Sequence, residues 1–323
     1  LLRSLRYSIP EDDRQPLNYV VAFYFRAMED EEDSPRRRVT TYLTIKAYYV
    51  APLIRRAFGD NVIAQSATIG RAEIFGHETG LRMPFHSFVS NFSPDHTRLY
   101  IPRDAPDLAF ARGGRRRMSI VYRMILDAVS RFAESGHRSM AVVVSDRERV
   151  ELLKAAASKE IMAISYGNGI TAREAVAQFA AGEGTLLVGT AAHFAEGIDL
   201  PDGVCPIIFF LRPGYPPPTD PEVVFEERRF TRSRAWALRN WRLVIEALQV
   251  RGRNVRSVRD RGICFFMTTM FDRFLFPGLP DWLKSSFSNQ KTMAEAVEET
   301  LQLLSRYESG LVESRKVEPS RAP

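Results

Sequence analysis

The segment LLVGTAAHFAEGID, residues 186–199, decides the fold of this chain. It begins with apolar, β-prone residues and continues at once into a small polar turn, which is typical of a strand buried on both faces. The loop after the strand carries His193, Glu196 and Asp199. Because ligands of open parallel sheets bind beyond the carboxyl ends of the strands, this loop is where we expect chemistry.

The surrounding chain alternates between buried strands and amphipathic helices. Such alternation predicts an α/β fold with a doubly wound parallel sheet flanked by helices. Ser145 and Thr171 each precede a glutamate by three residues, which predicts a capping box at the start of a helix. Strands are predicted at residues 140–144, 161–164, 185–189, 207–211 and 263–267.

The amino-terminal part of the chain has a mixed pattern. Residues 19–28 are predicted to be helical, whereas residues 40–45 and 61–64 are predicted to be strands on either side of a helix at 50–58. Residues 73–114 are predicted to be irregular because prolines interrupt them repeatedly.

A second segment, QVRGRNVR at residues 249–256, carries candidate phosphate-binding groups. Gln249, Arg253 and Arg256 follow one another at i, i+4 and i+7, so on a helix they would project from one face. Between residues 226 and 261 there are 11 arginines, four acidic residues and no lysine. Arginine binds phosphate oxygens in a bidentate manner, so this run predicts a phosphate clamp, with a solvated helix face as the alternative.

The composition excludes several classes of protein. With 323 residues, 45% of them hydrophobic, and a net charge of +6, the chain can bury a full core. Cys205 and Cys264 lie in apolar segments and are interpreted as reduced core residues, which fits a cytoplasmic or nucleoid-associated protein. The sequence has no apolar run long enough to span a bilayer and no signal peptide, so no membrane partner is expected. Because the chain begins without methionine, we expect it to be a fragment.

These motifs together resemble the carboxyl half of the DinG/XPD family of superfamily 2 DNA helicases, from about residue 40 to about residue 287. Ser66-Ala67-Thr68 is similar to the third family motif, and Val143-Val144-Ser145 is similar to the fourth. Residues 189–201 resemble the fifth motif, and residues 249–262 resemble the sixth, Q-x-x-G-R-x-x-R followed by D-x-G. Four motifs in the family's order make the resemblance specific.

The resemblance implies a RecA-like fold and a domain organisation. Residues 1–70 would be the end of a first motor domain or its arch region, and residues 71–308 would be the second RecA-like helicase domain. Residues 309–323 are predicted to be a disordered tail.

The resemblance also implies roles for individual residues. The catalytic arginine fingers would be Arg253 and Arg256, which stabilise charge on the departing γ-phosphate. Two alternatives stay open: Ser145 serves only as a helix cap, and Phe194 serves only in core packing. The ATP-binding residues would be Glu196, Gly197, Asp199, Gln249 and Gly252. The nucleic-acid-binding residues would be Ser66, Thr68, Ser145, Thr190, His193 and Phe194.

The chain departs from the family pattern in several places. It lacks the phosphate-binding loop G-x-x-x-x-G-K-[ST], the Asp-Glu magnesium motif and the four cysteines of the family's iron–sulfur cluster. ATP with Mg²⁺ would therefore be shared with a first motor domain, and an iron–sulfur cluster would belong to that half. Arg251 stands where the family has a small or apolar residue. Two alternatives are open for it: an extra phosphate contact, or a side chain that faces solvent.

The sequence thus predicts the second motor domain of an ATP-dependent DNA helicase, inactive alone. Its expected partners are single-stranded or forked DNA and the first motor domain of the same protein, and we expect a monomer without a bound structural metal. The alternative is a non-catalytic nucleic-acid-binding or scaffold protein that kept the fold. A Rossmann-type enzyme is less consistent, because no G-x-G-x-x-G follows a predicted strand.

Overall fold

The computed structural model divides the chain into two compact units. The first unit comprises Leu1–Phe88 and Tyr215–Ile245, and the second comprises Val89–Gly214 and Glu246–Pro323. The structure describes residues 19–28, 38–47, 50–59, 61–66, 70–79, 81, 83–86, 88, 90–109, 114–194, 200, 203–253, 255, 257 and 260–308.

The helices and strands follow one another in a regular order along the described residues. The strands are β1 (Tyr19–Met28), β2 (Arg38–Ala47), β3 (Thr97–Tyr100), β4 (Ser139–Val143), β5 (Ala163–Ser165), β6 (Leu186–Thr190), β7 (Ile207–Phe210), β8 (Gly262–Phe266) and β9 (Phe287–Ser288). The helices are α1 (Ala51–Phe58), α2 (Ala72–Thr79), α3 (Gly114–Glu134), α4 (Asp146–Ala157), α5 (Ala172–Ala180), α6 (Ala191–Phe194), α7 (Pro221–Arg229), α8 (Arg232–Arg251), α9 (Leu275–Gly278), α10 (Asp281–Lys284) and α11 (Met293–Glu308). Short 3₁₀ helices cover Pro94–His96 and Thr269–Arg273.

The first unit contains an antiparallel hairpin in which β1 pairs with β2 from Tyr19 opposite Ala47 to Met28 opposite Arg38. The helix predicted at residues 19–28 is therefore wrong: its valines and aromatic residues favour a strand, and the neighbouring strand satisfies the backbone hydrogen bonds. The predicted β2 strand and the α1 helix are confirmed. The strand predicted at 61–64 is also wrong, and Ile63 is 97% exposed.

The second unit is built on a seven-stranded sheet with the order β5-β6-β4-β7-β8-β3-β9. Every pairing in this sheet is parallel, so the predicted doubly wound α/β fold is confirmed. The five strands predicted from the sequence form, with ends shifted by one or two residues. Strands β3 and β9 were not predicted, because they are only four and two residues long.

Both faces of the central strands are buried. On β6, Leu186 and Val188 belong to the main hydrophobic core, and Leu187 on the opposite face has no exposed surface. Helices α3, α4 and α11 supply side chains to the main core, where Phe132 of α3 lies 6.4 Å from the ring of Phe209. In the described part of the chain, no helix is long and apolar enough to cross a membrane.

Gly189 on β6 leaves room for the buried ring of Phe194. A Cβ atom at position 189 would lie 2.4 Å from Phe194 Cζ. Because Phe194 is only 1% exposed, its ring cannot move into solvent to relieve this contact. We expect Gly189→Ala to lower the free energy of unfolding by roughly 1–3 kcal/mol, measured by urea denaturation.

A double-mutant cycle with Phe194→Leu provides the control for this clash. The smaller side chain makes room for the added methyl group, so Gly189→Ala should cost less in the Phe194→Leu background. Additive effects, within about 0.5 kcal/mol, would show that the loss has another cause.

Candidate functional site

Two of the sequence motifs meet at the carboxyl edge of the sheet. Strands β4 and β6 pair in parallel with Val143 opposite Thr190, so the segments that follow them lie side by side. Ser145 follows β4 as the N-cap of α4, where its hydroxyl accepts a hydrogen bond from the Glu148 backbone amide at 3.3 Å. Ser145 therefore acts as a helix cap, as one of the two alternatives for this residue predicted.

A polar and aromatic cluster fills this edge; it consists of Asp146, Arg149, Tyr166, Thr190 and His193, and we call it the Tyr166 cluster. The Tyr166 hydroxyl donates to Asp146 Oδ1 at 3.1 Å and lies 3.3 Å from Thr190 Oγ1. Thr190 Oγ1 lies 2.8 Å from His193 Nδ1. The rings of Tyr166 and His193 stack, with centroids 4.1 Å apart. His193 is exposed, so this edge presents an aromatic ring to solvent.

Arg149 stabilises the Tyr166 cluster through hydrogen bonds and a cation–π contact. Its guanidinium donates to Asp146 Oδ1 at 2.9 Å, to Ser165 Oγ at 3.2 Å and to the Tyr166 carbonyl at 2.5 Å. Its Cζ also lies 4.4 Å from the centroid of the Tyr166 ring. Sequence reasoning missed Arg149 and Tyr166 because neither lies in a recognised motif, although both stand within a few residues of predicted strand ends.

The charges of the cluster follow from these contacts. The hydrogen bond from Arg149 lowers the pKa of the Asp146 carboxyl group, which keeps it ionised. Burial raises the pKa of the Tyr166 hydroxyl, which keeps it a neutral donor. The cluster is thus fixed by the Arg149–Asp146 ion pair, by further hydrogen bonds to these two charged groups, and by the contacts of Thr190 with Tyr166 and His193.

A backbone hydrogen bond joins the fifth and sixth motifs. The amide of Leu200, directly after the fifth-motif loop, donates to the carbonyl of Arg253 at 3.1 Å. Gly252 and Arg253 form the turn that ends α8, with the Arg253 amide donating to the Val250 carbonyl at 3.0 Å. The turn at the start of the sixth motif therefore lies beside Leu200 of the fifth motif.

This turn corrects one structural prediction. Helix α8 ends at Arg251, so Arg253 does not continue the helical face that carries the exposed Gln249. Gly252 explains the end of the helix, because glycine stabilises a helix interior poorly. Arg256 lies outside the described residues, as do Thr68, Glu196, Gly197 and Asp199. Ser66 is exposed and belongs to the first unit.

Neither alternative for Arg251 is correct. Its side chain is only 6% exposed, and Nη2 donates to Thr97 Oγ1 at 2.6 Å. Its Cζ lies 5.5 Å from the ring centroid of Trp282, and burial lowers the pKa of the guanidinium. Arg251 therefore anchors the end of α8 against β3 and α10 instead of facing phosphate or water.

Some arginines of the run between residues 226 and 261 pair with glutamates and are not free to bind phosphate. Arg239 donates to Glu226 at 2.8 Å and to Glu227 at 3.2 Å, and Arg242 also donates to Glu226. The pair of Arg239 with Glu226 is buried in the first unit, whereas Glu227 and Arg242 are exposed. Only some arginines of the run are thus available to a ligand.

Two further predictions concern buried groups. Phe194 packs against Gly189 and is 1% exposed, which corresponds to the core-packing alternative. Burial raises the pKa of the Cys205 and Cys264 thiols to about 12, so both stay protonated and do not fit an iron–sulfur cluster. Among the described residues, no group of three His, Cys, Asp or Glu side chains could hold a metal ion.

The fold and the family match identify a helicase C-terminal domain. The family profile described as "Helicase C-terminal domain" matches residues 129–290, and the chain belongs to this family. This relation supports a helicase-type, nucleic-acid-related function.

Solved structures of XPD share this fold. An XPD helicase structure superimposes with a TM-score of 0.59 at 14% identity, covering 77% of this chain and 46% of that chain. A structure of XPD in the apo state gives a TM-score of 0.56 at 15% identity, covering 73% of this chain and 50% of that chain. The predicted RecA-like fold of the XPD type is thus confirmed, and this chain spans about half the length of the two structures. No curated protein sequence matches it significantly.

The geometry around Arg149 gives a stability prediction. Lysine carries the same charge, but its three donors share one nitrogen and it cannot stack flat on a ring, so Arg149→Lys cannot reproduce the separate contacts of Nε with Asp146 and of Nη1 with Ser165 and the Tyr166 carbonyl. We expect a loss of roughly 1–3 kcal/mol in the free energy of unfolding. Arg147→Lys is the matched control on α4, because Arg147 is exposed and, among the described residues, pairs only with Glu151. Equal losses in both variants would contradict the role assigned to Arg149.

Proposed function

We propose that this chain is the second motor domain of an ATP-dependent DNA helicase. The observation that supports the proposal is the hydrogen bond between the Leu200 amide and the Arg253 carbonyl, because it brings the backbone of the sixth motif next to that of the fifth. In two-domain motors, an arginine supplied to the γ-phosphate stabilises the charge that develops during hydrolysis. We assign this role to Arg253 and Arg256, of which the structure describes Arg253.

ATP with Mg²⁺ would lie between this domain and a first motor domain that carries the phosphate-binding loop. The exposed Gln249 would hold the nucleotide, and Gly252 would let the backbone approach it closely. Glu196, Gly197 and Asp199 would complete this wall of the nucleotide site. An iron–sulfur cluster would belong to the first half. Its ligands are thiolates, whereas burial raises the pKa of the Cys205 and Cys264 thiols and keeps them protonated.

Single-stranded DNA would cross the carboxyl edge of the sheet at the Tyr166 cluster. His193 presents its ring to solvent, and its stack on Tyr166 extends the aromatic surface available to a base. Hydroxyl groups of Ser145, Thr190, Ser66 and Thr68 would contact the DNA backbone. The protein would act as a monomer on single-stranded or forked DNA in the cytoplasm or nucleoid.

The second candidate is a nucleic-acid-binding scaffold without motor activity. It is favoured by the turn after α8, which takes Arg253 off the helical face of Gln249, so that the phosphate clamp predicted from the sequence does not form on one helix. The two candidates differ in one measurable property. The motor hydrolyses ATP when single-stranded DNA is added, whereas the scaffold binds DNA without hydrolysis.

The arginine-finger assignment is tested in the protein encoded by the complete reading frame. We expect Arg253→Ala to reduce DNA-stimulated ATP hydrolysis by about 10³-fold or more, measured by phosphate release. DNA binding without nucleotide should stay unchanged, because the finger acts on phosphate that only ATP supplies. Arg173→Ala is the control, since Arg173 is an exposed arginine on α5.

Unchanged hydrolysis in Arg253→Ala would overturn the assignment. The absence of hydrolysis in the unaltered protein, combined with intact DNA binding, would instead support the scaffold.

The DNA contact at the Tyr166 cluster gives a separate prediction. We expect His193→Ala to weaken binding of single-stranded DNA by about 1–3 kcal/mol, the usual contribution of one stacked base, measured by fluorescence anisotropy. Tyr166→Phe keeps the ring and should cost less in binding than His193→Ala. If neither variant changes affinity, DNA does not cross this edge.

A further inference from the structure

The turn between α7 and α8 concentrates positive charge outside the helicase motifs. Residues 228–234 read RRFTRSR, with four arginines and no acidic residue. Helix α7 ends at Arg229, and α8 begins at Arg232. Arg228 and Arg232 differ from Arg239 and Arg242, whose charges are matched by buried or nearby glutamates. The charges of Arg228 and Arg232 are therefore the ones available to a ligand.

Arg228 and Arg232 are both exposed at this turn, and no ion pair among the described residues involves either. Between them lies Phe230, whose ring centroid is 5.9 Å from the Cζ of Arg229 and 5.7 Å from that of Arg234. Arginines in the first turn of a helix oppose the macrodipole, so Arg232 and Arg234 do not stabilise α8. Arg228 lies in the last turn of α7, where a cation is favourable, so helix stability fails to explain only the charge at the start of α8.

Trp236 extends the basic turn with an exposed aromatic ring. It lies one helical turn after Arg232, on the same side of α8, and is 39% exposed. Tyr215 contacts the indole edge-on, with centroids 5.3 Å apart, and the Cζ of Arg239 lies 5.4 Å from the ring centroid. These neighbours hold the indole in place while part of it faces solvent.

We propose that Arg228, Arg232 and Trp236 form a binding surface for single-stranded nucleic acid. The arginines would bind backbone phosphates in a bidentate manner, and a base would stack on the indole. Arginines beside an exposed indole fit a single strand better than an acidic protein, because an unpaired base has a ring face to stack. The choice of nucleic acid as the ligand rests on the proposed function, but binding at this surface needs no ATP.

The experiment uses the chain itself and a fluorescein-labelled oligothymidylate. Anisotropy titrations without nucleotide would be run at salt concentrations between roughly 50 and 200 mM. We expect the double variant Arg228→Ala, Arg232→Ala to bind at least several-fold more weakly. Its logarithmic salt dependence should be shallower by about 1.4, because each lost phosphate contact on a single strand removes about 0.7.

The matched control is Arg123→Ala with Arg173→Ala. Both residues are exposed arginines of the second unit, and the double variant makes the same change in net charge. Its affinity and salt dependence should stay close to those of the unaltered chain. Trp236→Phe provides a second readout: bases that stack on indole quench its fluorescence, so quenching on DNA addition should be largely lost in this variant. Circular dichroism would verify that every variant is folded.

The outcomes separate this proposal from the proposed function. Unchanged binding in the Arg228/Arg232 variant, or equal weakening in the control, would overturn the surface, and so would quenching that persists in Trp236→Phe. Competition by polyglutamate as effective as by unlabelled DNA would also overturn it, in favour of an acidic protein partner. If His193→Ala weakens binding while the Arg228/Arg232 variant does not, the proposed helicase function is supported and the binding surface at Arg228, Arg232 and Trp236 is rejected. If the unaltered chain binds no DNA at all, both fall.

Discussion

The in-register parallel pairing of β4 with β6 is the constraint on which the candidate site depends. Parallel strands end at the same edge of a sheet, and Val143 opposite Thr190 fixes how far each strand runs before its loop begins. A shift of one residue would turn the side chains of β6 to the opposite face and separate Thr190 from Tyr166. Side chains packed on both faces of β6 oppose such a shift, because it would break their fit against the neighbouring residues. The hydrophobic core thus determines where the polar groups meet.

The second unit was largely predictable from the sequence, because its strands are continuous apolar runs between helix caps. The predicted capping box forms at Thr171. Ser145 caps its helix, but its predicted capping box is wrong, because the Glu148 carboxylate accepts from the Val144 amide and not from the Ser145 amide. The hairpin of the first unit was not predictable by periodicity, since residues 19–28 become a strand only when β2 supplies hydrogen-bond partners. Among the site residues, the positions of Thr190 and His193 followed from the strand end. The contacts of Arg149 could not be predicted in this way. They depend on Ser165 and Tyr166, which come close to Arg149 only when β5 pairs with β6.

The arginines between residues 226 and 261 show why charge counted along a sequence does not map directly onto ligand binding. Arg239 and Arg242 are used inside the first unit, where the buried carboxylate of Glu226 requires a cation. Arg251 is buried against Thr97 and Trp282, and there it secures the end of α8. Arg253 lies in the turn beyond that end, and Arg228 and Arg232 lie on an exposed turn between helices. One composition therefore serves ion pairing, anchoring and ligand contact at different positions.

The hydrogen bond from Leu200 to Arg253 involves only backbone atoms, and this has an evolutionary consequence. Any residue except proline provides the same amide at position 200, and every residue provides the same carbonyl at position 253. Sequence drift at these two positions can therefore proceed without breaking the link between the loops. Distant homologues can preserve such a connection long after their side chains have diverged, which makes it a feature to seek by superposition and not by comparing letters.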